Sequence, residues 1–201
     1  MQHTPLVRAA SLKSYPEIAR AAGLDPIRML VDAGLSPSVL QEPDLMVPAD
    51  RVSQLLEQSA VVSGLESFGL RMAETRHLSN LGPVGMVIRD QPTLRESLSV
   101  LLRYHAALNG SLAVMMEEEA GVVVIREEVL GGSAGSVRQP TELAVGVMLR
   151  LMRQVLGAGA GVELEVLVDL ALAGRDRGLV EGELHPVVAV GADLAHQPGV
   201  V

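Results

Sequence analysis

The spacing of apolar residues changes once along this chain, near Ser111, and this change limits the folds that are open to it. Before that point, apolar side chains recur every three or four residues, which is typical of amphipathic helices. After it, the segments 112–118 and 122–130 are rich in strand-forming residues, and the short connection 119–121 between them predicts a hairpin. The sequence therefore predicts an α+β fold that is helical first and mixed afterwards.

Short helices with recognisable ends fill the first half. Two are predicted within residues 14–34, because Gly23 suits the left-handed end of the first one, while Asp25 and Pro26 suit the N-cap and first turn of the second. Thr93 and Glu96 predict a capping box at the start of a later helix. Further helical segments are expected at residues 37–40, from 48 onward, at 67–76, within 83–91 and at 94–108.

The second half predicts a long helix between strands. A Gly/Ser loop at 131–136 precedes a helix that begins near Gln139 and carries apolar residues on one face. Alternation over 162–168 then predicts a half-buried strand, and residues 187–190 are a possible second one. We therefore expect a hairpin, a long helix and one or two further strands after the helical half.

The charge and the aromatic content argue against direct nucleic-acid binding. The formal net charge of −8 repels a phosphate backbone. The aromatic residues are Tyr15, Phe68 and Tyr104, which are too few for a platform on which bases stack. Any small-molecule pocket is expected to be mostly aliphatic.

No membrane segment, cofactor, metal site or enzymatic activity is predicted. No apolar stretch approaches the roughly 20 residues that a membrane span needs, so a cytoplasmic location is expected. The five histidines lack metal-binding spacing, and phosphate loops and nucleophile elbows do not occur. The glycines at 157, 159 and 161 follow a helix and precede a strand, which is the reverse of a dinucleotide-binding turn and indicates a connector.

Two acidic runs, 117–119 and 127–128, flank the predicted hairpin. Alternation places neighbouring carboxylates on opposite faces of a strand, so we interpret these runs as a solvated strand edge rather than an acid/base pair. His105 lies on the apolar stripe of its helix and is interpreted as a hydrogen-bonded core histidine.

Several short blocks occur in a characteristic order between residues 7 and 156. They are residues 7–12 with Tyr15, then 21–26, 33–35, 43–44, 47–48, 68–71, 81–85 and 92–96, followed by Arg138-Gln139 and 142–144. In order and spacing they resemble the N-terminal, arabinose-binding-like domain of AraC-type transcriptional regulators. The resemblance covers roughly the first three-quarters of the chain, and residues 157–201 diverge from the family pattern.

The resemblance implies a non-catalytic effector-binding and dimerisation domain, which in the family precedes a DNA-binding domain of two helix-turn-helix motifs. Those motifs do not occur in this sequence, so we expect a single domain over residues 1–201, a regulator truncated before its DNA-binding domain. Its expected partners are a small-molecule effector and a second chain, in a homodimer or in a heterodimer with a related regulator. The alternative is a ligand-independent interaction protein that heterodimerises with full-length regulators. Whether the last 45 residues are native-like, decayed or from an altered reading frame stays open.

Five residues are candidates for effector binding. Arg138, Gln139 and Glu142 begin the long helix after a flexible loop, where a guanidinium and exposed amides suit a ligand carboxylate or hydroxyl. The alternative is that Arg138 and Glu142 form a surface ion pair one helical turn apart. His77 and Arg89 flank the glycine-rich turn at 82–85 and are the second-rank candidates.

Overall fold

The protein is described here from a computed structural model that covers residues 5–119, 122–130, 137–156, 163–167 and 187–191. The first half contains β1 (Leu6–Arg8), α1 (Tyr15–Ala21), α2 (Pro26–Asp32), β2 (Met46–Pro48), α3 (Ala49–Ser63), α4 (Phe68–Ala73), α5 (Pro83–Arg89) and α6 (Leu94–Leu108). The second half contains β3 (Leu112–Glu119), β4 (Val122–Val129), α7 (Arg138–Leu156), β5 (Glu163–Leu167) and β6 (Val187–Gly191). Three 3-10 helices lie at Ala9–Leu12, Pro37–Leu40 and Leu78–Leu81.

The predicted helix ends are confirmed where local chemistry sets them. Gly23 has a φ of 78°, and the Asp25 carboxylate accepts hydrogen bonds from the backbone N–H groups of Ile27 and Arg28 at 3.0 and 3.2 Å. The Thr93 hydroxyl oxygen accepts from the backbone N–H of Glu96 at 3.2 Å. These helices begin and end where short-range hydrogen bonds and glycine geometry stop them.

A small sheet formed by β1 and β2 was not predicted. The two strands pair in antiparallel fashion, with Val7 opposite Val47, and both of these side chains are buried. Each strand has only three residues, which is too short for alternation to be recognised, and the partners are forty residues apart in the sequence. This pairing holds β1 next to the start of α3, which directly follows β2.

The predicted hairpin and the two later strands are confirmed, and they form one antiparallel sheet in the order β3-β4-β6-β5. In its register, Met116 lies opposite Ile125, and Ile125 lies opposite Val188. The α+β fold class expected from the sequence is therefore correct. The central hairpin residues 120–121, the Gly/Ser loop at 131–136 and the glycines at 157–161 lie outside the described residues.

Two hydrophobic clusters make up the described core, and α7 contributes to both. The first cluster contains residues of β1, β2 and α1 to α4, together with Leu143 of α7. The second contains residues of α5, α6 and β4, together with Val145, Met148 and Leu151 of α7. Val147 packs against both clusters. Because α7 passes through both cores, a change at their junction is felt by each half of the domain.

Candidate ligand-binding site

A cavity of about 190 Å³ lies where the two hydrophobic clusters meet. Helices α3, α6 and α7, the hairpin of β3 and β4, and the segment from β1 through the first 3-10 helix all contribute to its wall. Its aliphatic lining includes Val52, Leu56, Leu101, Leu102, Leu108, Leu112, Val114, Val129, Leu143, Ala144, Val147, Met148 and Leu151. Such a wall offers dispersion and hydrophobic contacts to an aliphatic ligand.

No aromatic side chain lines the cavity. Tyr15 and Phe68 are fully buried in the first cluster, where their ring centroids lie 5.9 Å apart, and Tyr104 is exposed on α6. The Tyr15 hydroxyl is 2.9 Å from the hydroxyl of Ser59, and burial raises the Tyr15 pKa despite that bond. The ligand chemistry of the cavity therefore depends on aliphatic groups and on a few polar side chains.

Glu127 is the most unusual of these polar side chains. It is 2% exposed, lies on β4 and lines the cavity, and no described residue is hydrogen-bonded to its Oε2 atom. Burial raises the pKa of this carboxyl to about 7, because desolvation disfavours the charged form. At neutral pH the group is therefore poised between its charged and neutral forms.

The interpretation of both acidic runs as a solvated strand edge is wrong for Glu127. It is correct for Glu117 and Glu118, which are exposed and form ion pairs with Arg126 and Arg95 respectively, and Glu128 is also exposed. Glu127 is buried because it is in phase with Val123 and Ile125, the buried residues of β4. The sequence contains the signal for this burial, because every second residue from Val123 leads through Ile125 to Glu127.

Arg76 is a second polar residue in the wall that sequence reasoning did not select. It is 5% exposed, and its guanidinium donates hydrogen bonds to the backbone carbonyls of Ala10, at 2.8 Å, and Ser11. Burial lowers its pKa to about 10, so it stays protonated at neutral pH. Its own carbonyl accepts from the side chains of Arg150 and Gln154 on α7. Arg76 thus joins the first 3-10 helix to α7 beside the cavity.

Two histidines also reach the cavity wall. The His105 ring is half-buried, and its Nδ1 atom lies 2.6 Å from the carbonyl oxygen of Leu102, which fits the interpretation of a hydrogen-bonded histidine. His77 precedes the 3-10 helix Leu78–Leu81, and its backbone N–H donates to Oδ1 of Asn80 at 2.8 Å. His77 is therefore the one predicted effector residue that lines this cavity.

The other predicted effector residues lie elsewhere. Arg138 and Glu142 form the ion pair that was weighed as their alternative role, with Nε and Oε1 2.7 Å apart. Gln139 is 2% exposed, and its amide accepts from the backbone N–H of Gly69 and donates to the carbonyl of Glu66, both at 2.8 Å. Arg89 is exposed on α5 beside Asp90. Effector binding by these four residues stays a prediction.

Within the described ranges, no group of three or more His, Asp or Glu side chains is placed to hold a metal ion. Among the helices that the structure describes, none combines the length and the apolar character needed to cross a bilayer.

The chain belongs to the family described as the arabinose-binding domain of AraC transcription regulators, N-terminal, whose model matches residues 23–168, about three-quarters of the sequence. It is also similar to the HTH-type transcriptional regulator VirS of Mycobacterium tuberculosis, in the strains H37Rv and CDC 1551, with 32% identity over 104 residues. That match covers 52% of this chain and 31% of VirS, so the chain spans about a third of the curated relative. The family expected from the sequence is thereby confirmed.

Proposed function

We propose that this domain senses a small molecule in the cavity between its two hydrophobic clusters, and that binding changes the conformation or the dimer equilibrium of a transcription regulator. The observation that carries the proposal is the position of the cavity. It lies at the junction of the two clusters, with aliphatic walls and the buried carboxyl of Glu127 in its lining, in a chain of this regulator family. Pockets of this kind, apolar with a few convergent polar groups, are typical of ligand sites.

The architecture supports a coupling role for such a ligand. A ligand in the cavity would contact Leu101 of α6, which belongs to the second cluster. It would also contact Leu143 of α7, which belongs to the first cluster. A ligand that touches both clusters stabilises the relative arrangement that it fits best, and it shifts the equilibrium by its difference in affinity for the two states. The partner that reads this shift is proposed to be a second chain of the same or a related regulator.

A thermal-shift screen with two matched variants tests the proposal. The purified chain is heated with sugars, amino acids, short fatty acids, aliphatic alcohols and aliphatic amines. Ala144→Leu replaces a methyl group with an isobutyl group at a position that lines the cavity, whereas Ala107→Leu makes the same change on the exposed face of α6. A cavity ligand raises the melting temperature of the wild type and of Ala107→Leu in a concentration-dependent manner, and this rise is reduced in Ala144→Leu.

The outcome of the screen also distinguishes a ligand-sensing domain from a ligand-independent interaction protein. Sedimentation measured with and without the stabilising compound shows whether binding changes the dimer equilibrium. Flat melting of a well-folded chain in every compound class would remove the support for sensing. It would favour the ligand-independent interaction protein that heterodimerises with full-length regulators.

A further inference from the structure

Two polar atoms in the cavity wall are buried and have no hydrogen-bond partner among the described residues. They are Oε2 of Glu127 and Oγ of Ser11. A buried carboxyl without a partner is costly, and the cost is relieved either by a proton on the carboxyl or by a donor that reaches it. Glu127 therefore marks the place in the cavity where a ligand gains most from carrying a hydrogen-bond donor.

Two nitrogen-bearing side chains in the same cavity lining, those of Arg76 and His105, already have acceptors. Both terminal nitrogens of Arg76 donate to backbone carbonyls. The Nδ1 atom of His105 faces the Leu102 carbonyl at 2.6 Å, and because a carbonyl only accepts, this nitrogen carries the hydrogen. In the neutral ring, Nε2 is then an acceptor as well. Neither side chain donates to Glu127, whose Oε2 atom therefore stays without a donor among the described residues.

We infer, building on the proposed function, that the cavity binds a short aliphatic primary amine as its ammonium ion, whose N–H groups donate to the Glu127 carboxylate. The alkyl chain packs against Leu101 of α6 and Leu143 and Val147 of α7. The volume of the cavity limits the length of this alkyl chain. A cavity of about 150 Å³ holds a benzene-sized ligand, so a cavity of about 190 Å³ takes a ligand with on the order of seven non-hydrogen atoms.

The charges around the cavity are compatible with this ligand. Besides Glu127, the charged or titratable residues in its lining are Arg8, Arg76, His77 and His105. Arg8 forms an ion pair with Asp44, and the guanidinium of Arg76 is held by two carbonyls. Glu127 has no ion-pair partner among the described residues, so an ammonium at its carboxylate supplies a counter-charge that these residues do not provide. Since the Glu127 pKa is about 7, binding at neutral pH deprotonates this carboxyl and releases up to about half a proton to the buffer.

Calorimetric titration of the full chain with three six-carbon probes tests the inference. Hexylamine is expected to bind saturably, 1-hexanol more weakly, and hexanoate not at all over the same concentrations. Glu127→Gln is expected to weaken hexylamine binding by about tenfold or more, because it removes a charge-assisted hydrogen bond, while 1-hexanol binding changes little. Glu128→Gln, which removes the same charge from the exposed side of β4, leaves hexylamine binding unchanged.

Three results would overturn the inference: hexanoate binding as tightly as hexylamine, no hexylamine binding, or equal hexylamine affinities of the wild type and Glu127→Gln. If Glu127→Gln does not fold, proton release by the wild type, measured in buffers of different ionisation heat, decides instead. A ligand from the wider screen that is weakened by Ala144→Leu, together with failure of hexylamine, would contradict the amine inference and keep the proposed function. If no compound binds in a way that Ala144→Leu weakens, the result contradicts both the amine inference and the proposed function.

Discussion

The side-chain amide of Gln139 accepts a hydrogen bond from the backbone N–H of Gly69 at 2.8 Å, and this bond lies where α4 and α7 approach each other closely. A Cβ atom built on Gly69 would lie 2.2 Å from the carbonyl oxygen of Gln139, and one built on Gly146 would lie 2.6 Å from Cβ of Ala73. The two helices therefore meet backbone to backbone, with glycines at the contact. This contact holds α7 against the first cluster, next to the cavity.

Replacing Gly69 by alanine should destabilise the protein. Within a helix this change normally adds about 1 kcal/mol of stability, but here the new methyl group collides with backbone that must move. A net loss of about 2 kcal/mol in the free energy of unfolding is expected from urea denaturation. The comparison is Gly23→Ala, where space is open and the cost of about 1 kcal/mol comes from the φ of 78° alone. A Gly69→Ala protein as stable as the wild type would show that the helices are not in contact here.

Gln139→Leu tests whether this residue joins helices or binds effector. The leucine leaves the Gly69 N–H and the Glu66 carbonyl without their partner. Each lost partner costs on the order of 1 to 3 kcal/mol, so a drop of about 2 to 6 kcal/mol in the free energy of unfolding is expected. Gln139→Glu keeps an acceptor for the Gly69 N–H, so its free energy of unfolding should lie between those of the wild type and Gln139→Leu. Unchanged stability with weakened ligand affinity would support the effector-binding role predicted from the sequence.

Arg76→Lys should loosen the segment that the guanidinium holds. A single ammonium cannot reproduce the two-pronged contact with the carbonyls of Ala10 and Ser11. A loss of about 2 kcal/mol in the free energy of unfolding is expected, with faster amide hydrogen exchange in the 3-10 helix Ala9–Leu12. Arg71→Lys, at an exposed position on α4 beside Glu74, is the matched control and should change little. Equal stabilities of the two variants would contradict the role given to Arg76.

Local chemistry explains why the fold was largely predictable. Gly23 and Asp25 set helix ends through their own geometry, and the strand-forming residues of β4 and the alternation over residues 162–168 can be recognised without knowledge of distant partners. The pairing of β1 with β2 was not predictable in this way, because three-residue strands carry no period and pairing across forty residues is set by tertiary packing.

The candidate site was harder to predict than the fold, because the role of each side chain depends on its partners in the folded protein. The exposed-amide argument for Gln139 assumed a free helix start, but its backbone N–H donates to Oε1 of Glu57 at 2.7 Å. Gly69 and Glu66 engage its side-chain amide as well. Arg76 gave no sequence signal, since its two acceptors are backbone carbonyls more than sixty residues away. Glu127 was interpreted by the charge of its run rather than by its phase with Val123 and Ile125, which decides its burial.

The raised pKa of Glu127 predicts a pH dependence of stability. Between the usual value of 4.5 and the folded value of about 7, the native state binds more protons at this group than the unfolded chain does. Its contribution to the free energy of unfolding is therefore full below pH 4.5 and is lost as the pH rises through 7. The loss approaches about 3 kcal/mol at most in alkaline solution.

Glu127→Gln isolates this contribution from those of the histidines and surface carboxylates. The glutamine does not titrate, so the free energy of unfolding of the variant relative to the wild type should rise between pH 5 and pH 8, as measured by urea denaturation at each pH. Glu128→Gln, which removes a carboxylate from the exposed side of the same strand, is the matched control for the loss of one negative charge. A pH-independent difference for Glu127→Gln would show that the buried carboxyl titrates near its usual pKa and has a donor in the folded protein.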